Sequence, residues 1–482
     1  MSSVPFRSKT SASTVLGALD ESHDSPLAAM LELADRCNEV CVHCYQIQGQ
    51  KGEMTTEQVF RVLDDLARMG VLFLTLSGGE VTLRRDFLEI VRHARKLQFA
   101  VKIFTNGLTM TESLAIALAE LAVQEVQMSV YSHRAEIHDQ ITGVPGSWEK
   151  TVAGARFLRK HGVAVVIKTP LMSVNAHDYQ AYVAFASELG VDFMMDPTKL
   201  HPREDGDRSP EQYSASAQAI AEVRAGLAKA GASPSHGVSG ERRNERPNRP
   251  NRPRRAPADE VCGACHGIVH VEANGEVRPC SQWAVPCGSA VDEGVEQAWR
   301  HNEASRLVRA LRWGDLHGCR ECDISGYCGR CFAKARVSGT DALAPYEEAC
   351  RNALHRYETA LGEPLRVLPR EQALPAVQSD TPVLGPFRVV GHGVVQPVED
   401  RLSEQDRERI ESYDWIRREH ASGAPASHRE ALVSIRRSKS GRTWQPTQEY
   451  VTTQAQKLGG SDEASDAKRG DRLDGGTALE RM

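Results

Sequence analysis

Three cysteines, Cys37, Cys41 and Cys44, stand in CxxxCxxC spacing within LADRCNEVCVHCYQ. A [4Fe–4S] cube usually takes four thiolates, so three on one short loop leave the fourth iron open to an exchangeable ligand. The alternative chemistry is a zinc knuckle or three plain buried thiols. Further on, SGGE (Ser77–Glu80) offers glycines that let backbone approach a ligand closely and a carboxylate that accepts from an ammonium group. Nine more cysteines follow: Cys262, Cys265, Cys280, Cys287, Cys319, Cys322, Cys328, Cys331 and Cys350. CxxC pairs are common zinc ligands, but the five residues between Cys322 and Cys328 are a shorter gap than zinc ribbons leave between their pairs.

The chain that must position these groups has 482 residues and a net charge of −5, length enough for two to four domains. The charge is too balanced to suggest nucleic acid, and no apolar run is long enough for a membrane span. The opening MSSVPFRSKTSASTVLGALDES lacks an apolar signal core with a cleavage site. The reading is a cytoplasmic protein whose twelve cysteines are better explained as metal ligands than as disulfides, because the cytosol keeps thiols reduced.

From residue 28 the chain alternates apolar runs with amphipathic stretches. MLELA is strand one, and Thr55 to Met69 a helix opened by a capping pattern of Thr55 and Gln58. VLFLTLSGGE precedes a helix over 84–97, AVKIFTNG one over 111–121, EVQMSVYS one over 148–161, VAVVIKTPL one near 176–189, and VDFMMD one from about 210 to 229. Six such units predict a parallel sheet and an open, partial barrel, an α/β fold with its chemistry at the carboxyl ends of the strands. The cysteine loop, SGGE, Asn106–Gly107 and Ser129 all fall there, on successive strands.

At these motifs, CNEVCVHC, SGGE, TNG and the strand-four serine, residues 28–230 resemble the radical S-adenosylmethionine (SAM) superfamily. The resemblance implies that Cys37, Cys41 and Cys44 ligate a cluster whose open iron binds SAM, with reductive cleavage to a 5′-deoxyadenosyl radical. It implies further that His43 lies beside the adenine and that Gly78, Gly79 and Glu80 hold the methionine amino group. Asn106, in the strand-three motif, is carried as cofactor-binding, and Ser129 meets the ribose or carboxylate. Related enzymes often have an arginine where this chain has Thr142, and Lys168 on strand five is the candidate substitute.

Cys265, Gly275 and Cys280 fit Cx9Gx4C, followed by CRECDISGYCGRC and Cys350, an order that resembles the SPASM extension. That resemblance implies two auxiliary [4Fe–4S] clusters: cluster I on Cys262, Cys265, Cys280 and Cys331, cluster II on Cys319, Cys322, Cys328 and Cys350. Cys287 is left over, and CGRC is one residue shorter than the family's usual pair. The expected organisation is an N-terminal extension (1–27), the radical SAM partial (β/α)6 barrel (28–232) and an Arg/Pro-rich linker (233–260). A small cysteine-rich α+β SPASM domain (261–365) and a largely irregular C-terminal extension (366–482) complete it. Within that extension PVLGPFRVVGHGVVQPV reads as a hairpin, 403–420 as a charged helix and the end from Thr452 as disordered.

The combination resembles maturases that modify ribosomally made peptides or proteins by hydrogen abstraction, forming a crosslink or related two-electron oxidation. A peptide substrate and a reducing partner such as flavodoxin or ferredoxin follow from it. Tailoring of a tetrapyrrole or other small molecule is one alternative. Sulfatase-type formylglycine maturation is another, disfavoured because Ser281 stands where those enzymes have an aspartate base; a non-catalytic iron–sulfur scaffold is the last. No substrate acid or base is assigned; Asp196, Tyr131 and His133 sit where one would face the barrel mouth.

Overall fold

The computed structural model describes residues 25–229, 252–337, 341–367, 387–392 and 394–397. The charged helix expected at 403–420, the polar end from Thr452 and most of the Arg/Pro-rich stretch lie outside the described residues.

The six strand–helix units form as expected, and in parallel: β1 (Ala28–Ala34), α1 (Thr56–Arg68), β2 (Phe73–Gly78), α2 (Phe87–Lys96), β3 (Ala100–Thr105) and α3 (Glu112–Glu120). β4 (Glu125–Ser129), α4 (Ala135–Thr142), α5 (Ser147–Lys160), β5 (Val165–Pro170), α6 (Tyr179–Leu189), β6 (Asp192–Asp196) and α7 (Ala217–Lys229) follow. α1 shows why such segments are helical. The Gln58 N–H donates to Thr55 Oγ1 and the Thr55 N–H to Gln58 Oε1, closing a capping box. Val59, Val62, Leu63 and Leu66 then recur on one buried face, each burial contributing about 1.5–3 kcal/mol. α4 was not expected; it is a two-turn helix ended by Gly143 at φ 70°.

The sheet is wider than the sequence implied. Among the described residues it has eight strands in the order β6-β5-β4-β3-β2-β1-β7-β8, because β7 (Ile268–Val271) from the second cysteine field pairs in parallel with β1 and β8 (Val277–Arg278) pairs back on β7. The Met54 N–H on Ala273 O (2.8 Å) and the Val295 N–H on Asp65 Oδ2 (3.1 Å) add to this seam. Barrel and cysteine-rich region are therefore continuous across one hydrogen-bonded sheet.

α8 (Glu303–Ala310), α9 (Phe332–Val337) and α10 (Glu347–Leu361) pack with short 3-10 turns around the remaining cysteines. The expected hairpin is present as β10 (Phe387–Gly391) and β11 (Val394–Pro397), with β9 (Arg366–Val367) alongside. It corrects the boundary expected at 365: Phe387 donates its N–H to Cys322 Sγ (3.4 Å) and accepts from the Asp323 N–H (2.8 Å), so the hairpin belongs to the cysteine-rich core. The linker expectation also needs correcting at its end. Residues 252–257 strap that core, with the Arg252 N–H on Tyr327 Oη (3.1 Å) and the Arg255 N–H on Ser325 Oγ (3.0 Å). A Cβ on Gly326 would lie 2.3 Å from Pro253 O, so the strap needs that glycine.

Candidate active site and thiol fields

β1 ends at Ala34, and the loop beyond it carries the triplet. Asp35 ties the loop into a ring: its Oδ2 accepts from the Lys51 and Gly52 N–H groups (2.6 and 3.0 Å). The Val40 and Val42 N–H groups donate to Thr142 O and Ile141 O (2.9 and 3.0 Å), docking the loop on the end of α4. Thr142 is thus a support of the loop; its Oγ1 is shared with Ser147 Oγ (2.8 Å) and Asp139 O (3.2 Å).

Gly78 and Gly79 are demanded by the same loop. A Cβ on Gly78, at φ 134°, would lie 2.4 Å from Ala34 O, and one on Gly79 2.3 Å from Arg36 O. Glu80, fully buried, receives four hydrogen bonds: Thr82 N–H (3.0 Å), Thr82 Oγ1 (2.6 Å) and Thr105 Oγ1 (2.7 Å) on Oε1, and the Asn106 N–H (2.6 Å) on Oε2. It braces the ends of β2 and β3 together. Asn106 reaches the cysteine loop, its Nδ2 donating to Asn38 Oδ1 (2.7 Å) and standing 3.7 Å from Cys37 Sγ. Asn106 therefore braces the start of the cysteine loop in this structure.

Two further residues at the triplet were not singled out as its neighbours. Tyr131 Oη lies 3.7 Å from Cys41 Sγ, and its ring meets His43 edge-on at 4.7 Å. Glu39, buried, lies with Oε2 3.4 Å from Cys41 Sγ, and burial raises its carboxyl to about 7. Burial pushes His43 down to about 4, leaving a neutral ring whose Nε2 has no partner. Burial likewise raises the Cys37 thiol to about 11 and that of Cys41 well up. Uncharged, crowded thiols of this kind become stable as thiolates when a metal takes the proton's place.

Strand register explains the barrel interior. Glu32, Ser77, Phe104, Gln127, Ser129 and Lys168 stand on one face of their strands, opposite the Leu, Ile and Val that pack on the helices. Ser129 and Lys168 are register partners. Lys168 is not a solvated lysine: its Nζ sits 3.7 Å over the Phe104 ring, and burial lowers it to about 8. At the seam with β7 the interior holds Glu32, His270 and Glu272, whose ligand atoms lie within 4.8 Å of one another. Lys51 (3.0 Å) and Arg278 already engage Glu272, so this cluster is an internal charge network, with Glu32 raised to about 8 by burial and by Glu272.

All twelve cysteines are free thiols. The second field gathers into two groups. Cys331 acts on the thiols of both Cys262 and Cys280, which burial raises to about 12, and Cys265 adjoins Cys280 and Cys287. Cys328 lies against Cys319, Cys350 and Cys322 instead. The short CGRC pair is thus divided between the groups, Cys328 facing one and Cys331 the other. A single zinc with thiolates at ~2.3 Å would bring its sulfurs within ~4 Å of each other. Among the described residues no three cysteine sulfurs all lie within 4.8 Å of one another.

Comparison with known proteins agrees with this geometry. Residues 31–186 match the Radical SAM superfamily and residues 254–323 match SPASM, an iron–sulfur cluster-binding domain. The chain is 28% identical over 335 residues to the AdoMet-dependent heme synthase of Methanosarcina barkeri, covering 66% of this chain and 95% of that protein. It is 28% identical over 367 residues to the mycofactocin maturase MftC of Mycobacterium tuberculosis, covering 74% and 88%. Streptococcus suis SuiB bound to its precursor peptide SuiA shares the fold, with a TM-score of 0.52 at 15% identity over 71% of this chain and 82% of that one. SAM, a [4Fe–4S] cluster and auxiliary iron–sulfur clusters are accordingly the cofactors these domains take.

Proposed function

We propose, from the premise that this chain is a radical SAM enzyme carrying a SPASM domain, that it oxidatively modifies a ribosomally made peptide or protein. The observation that carries the reading is a three-cysteine loop at the end of β1 in a parallel sheet that continues through β7 and β8 into a region holding two further groups of free thiols. The chemistry supplied by SAM on the reduced cluster is a carbon radical that abstracts hydrogen from the substrate.

Cys37, Cys41 and Cys44 would hold that cluster, with Asn106 and Tyr131 restraining the first two sulfurs. The glycines let the carboxyl end of β2 lie directly against the cysteine loop, where the amino group of SAM would be received, and Glu80 braces that edge. His43 offers a neutral ring face for the adenine. Lys168, with Ser129 beside it in the lumen, is the cation available for the SAM carboxylate, since Thr142 spends its hydroxyl on Ser147 and Asp139. Cys262, Cys265, Cys280 and Cys331 would hold auxiliary cluster I, and Cys319, Cys322, Cys328 and Cys350 cluster II. Four thiolates each suit these clusters to carry away the electron that a two-electron oxidation releases.

Peptide modification is supported by the similarity to a mycofactocin maturase and by the shared fold with a protein bound to its precursor peptide. Similarity to a heme synthase over nearly all of that enzyme keeps tetrapyrrole tailoring as the second reading. A flavodoxin or ferredoxin is the proposed reductant and the cytoplasm the proposed compartment, where thiolate ligands stay reduced; no described helix is long and apolar enough to cross a membrane.

Anaerobic co-expression with short peptides encoded beside the gene, followed by mass spectrometry, tests the substrate. A peptide lighter by two hydrogens is expected. Full iron loading and 5′-deoxyadenosine formation with every peptide unchanged would remove the peptide reading and favour the tetrapyrrole one.

A further inference from the structure

The charge network at the seam between β1 and β7 is short of positive charge. Four carboxylates, Glu32, Glu204, Glu272 and Glu276, share two cations: Lys51 pairs with Glu204 and Glu272, and Arg278 with Glu204, Glu272 and Glu276. Among the described residues no lysine or arginine pairs with Glu32, although it is buried; its Oε1 accepts from Gln46 Nε2 (2.7 Å). A buried carboxylate without a counter-charge is costly, so the network must hold either a proton, as Glu32 at about 8 can, or a further cation.

His270 points to the cation. It is 1% exposed, and neither of its ring nitrogens has a hydrogen-bond partner. Burial, with Arg278 and Lys51 adding to it, lowers His270 to about 3, so the ring is neutral and keeps a free lone pair. Its Nε2 stands 3.6 Å from Glu32 Oε1 and 4.0 Å from Glu272 Oε1. Both gaps are too long for hydrogen bonds. They match ligand atoms that share one ion, since bonds of about 2.1 Å place such atoms roughly 3–4 Å apart. One ligand atom from each of the three side chains lies within 4.8 Å of the other two. Arg278 on Glu272 does not close the site, because each carboxylate oxygen has a second lone pair.

We infer that Glu32, His270 and Glu272 form a binding site for one divalent transition-metal ion that joins the barrel to the cysteine-rich region. Glu32 comes from β1, whereas His270, the register partner of Met30, and Glu272 come from β7 and the residue just beyond it. The ion therefore spans the strand pair on which the two regions meet. Two carboxylates suit Mn²⁺ and an imidazole suits Zn²⁺, so the mixed set selects ions of that class. No cysteine takes part, and the inference stands apart from the reading of the thiol groups.

Mn²⁺ is the probe, added to the full chain after anaerobic reconstitution and removal of loose metal. With the clusters left oxidised and EPR-silent, loss of the six-line signal of free Mn²⁺ counts the bound ion. The parent is expected to bind about one Mn²⁺ per chain and to gain denaturation midpoint with it. Glu32→Gln, which keeps the shape of the side chain, and His270→Ala are each expected to weaken binding by more than the roughly 10–100-fold that changes around a metal's ligands cost. A parent that binds no Mn²⁺ overturns the proposal and leaves a proton as the missing charge. Binding that both variants retain overturns it as well, since the ion would then sit on surface carboxylates. Should His270→Ala fail to fold, Glu32→Gln decides: undiminished Mn²⁺ binding there overturns the site.

Discussion

The triplet loop and the second cysteine field solve opposite problems with the same side chain. Cys37, Cys41 and Cys44 come from eight consecutive residues, are half-buried, and are steered by polar neighbours such as Asn106 and Tyr131. Cys262, Cys280 and Cys331 come from separate segments, and Cys350 joins the run Cys319, Cys322 and Cys328 from another helix, with Trp283, Tyr327 and Phe387 among their surroundings. A local loop can present three ligands and leave a coordination position for a ligand that comes and goes. A site assembled from distant segments closes completely, because the fold itself completes the set. The first arrangement suits chemistry and the second electron transfer.

Substituting one cysteine in each region should break this contrast most sharply. Cys41→Ser is expected to abolish 5′-deoxyadenosine formation while leaving the denaturation midpoint near the parent's. Cys328→Ser is expected to lower stability by roughly 3 kcal/mol, the range for losing a buried metal site. Equal destabilisation by the two, measured by urea unfolding under anaerobic conditions, would erase the distinction.

The seam between the regions provides a subtler probe. Burial, then Glu272, raises Glu32 from 4.5 to about 8. Between those values the folded chain binds a proton that the unfolded chain has released, so this group's contribution to stability is present below about 4.5 and is lost as pH rises towards 8. Glu32→Gln should flatten that decline; an undiminished pH dependence of the urea midpoint from pH 5 to 8 would show that the carboxyl is ionised in the fold. The smallest effect is expected at Asp65, whose Oδ2 accepts from Val295 of the cysteine-rich region. Asp65→Ala should cost about 1 kcal/mol. A much larger loss would mean that this edge, more than the β1–β7 ladder, joins the two regions.

Much of the barrel was legible because its signals are local. The Thr55–Gln58 capping box, the apolar spacing of α1 and the order of motifs at strand ends all lie within a few residues of each other. α4 escaped notice because its buried positions, His138, Ile141 and Thr142, cover less than two turns and show little periodicity. β7 was missed because IVHV is too short to announce a strand, and its parallel pairing with β1 joins ends of the chain that no pattern links. The interior polar residues are hard to place from sequence for a related reason. Lys168 and Glu32 alternate with apolar neighbours as solvent-facing residues do, yet the inner face of a barrel has the same period of two.

The sequence by itself determined that a three-cysteine loop stands at the mouth of an α/β barrel, because spacing along one loop and order along successive strands survive without coordinates. Tertiary structure alone decided that Glu80 and Asn106 brace the loop and that the hairpin at Phe387 closes on Cys322. Each of those depends on contacts between segments far apart in the chain, set by how β7 and the hairpin pack, and a linear pattern carries no distance between them.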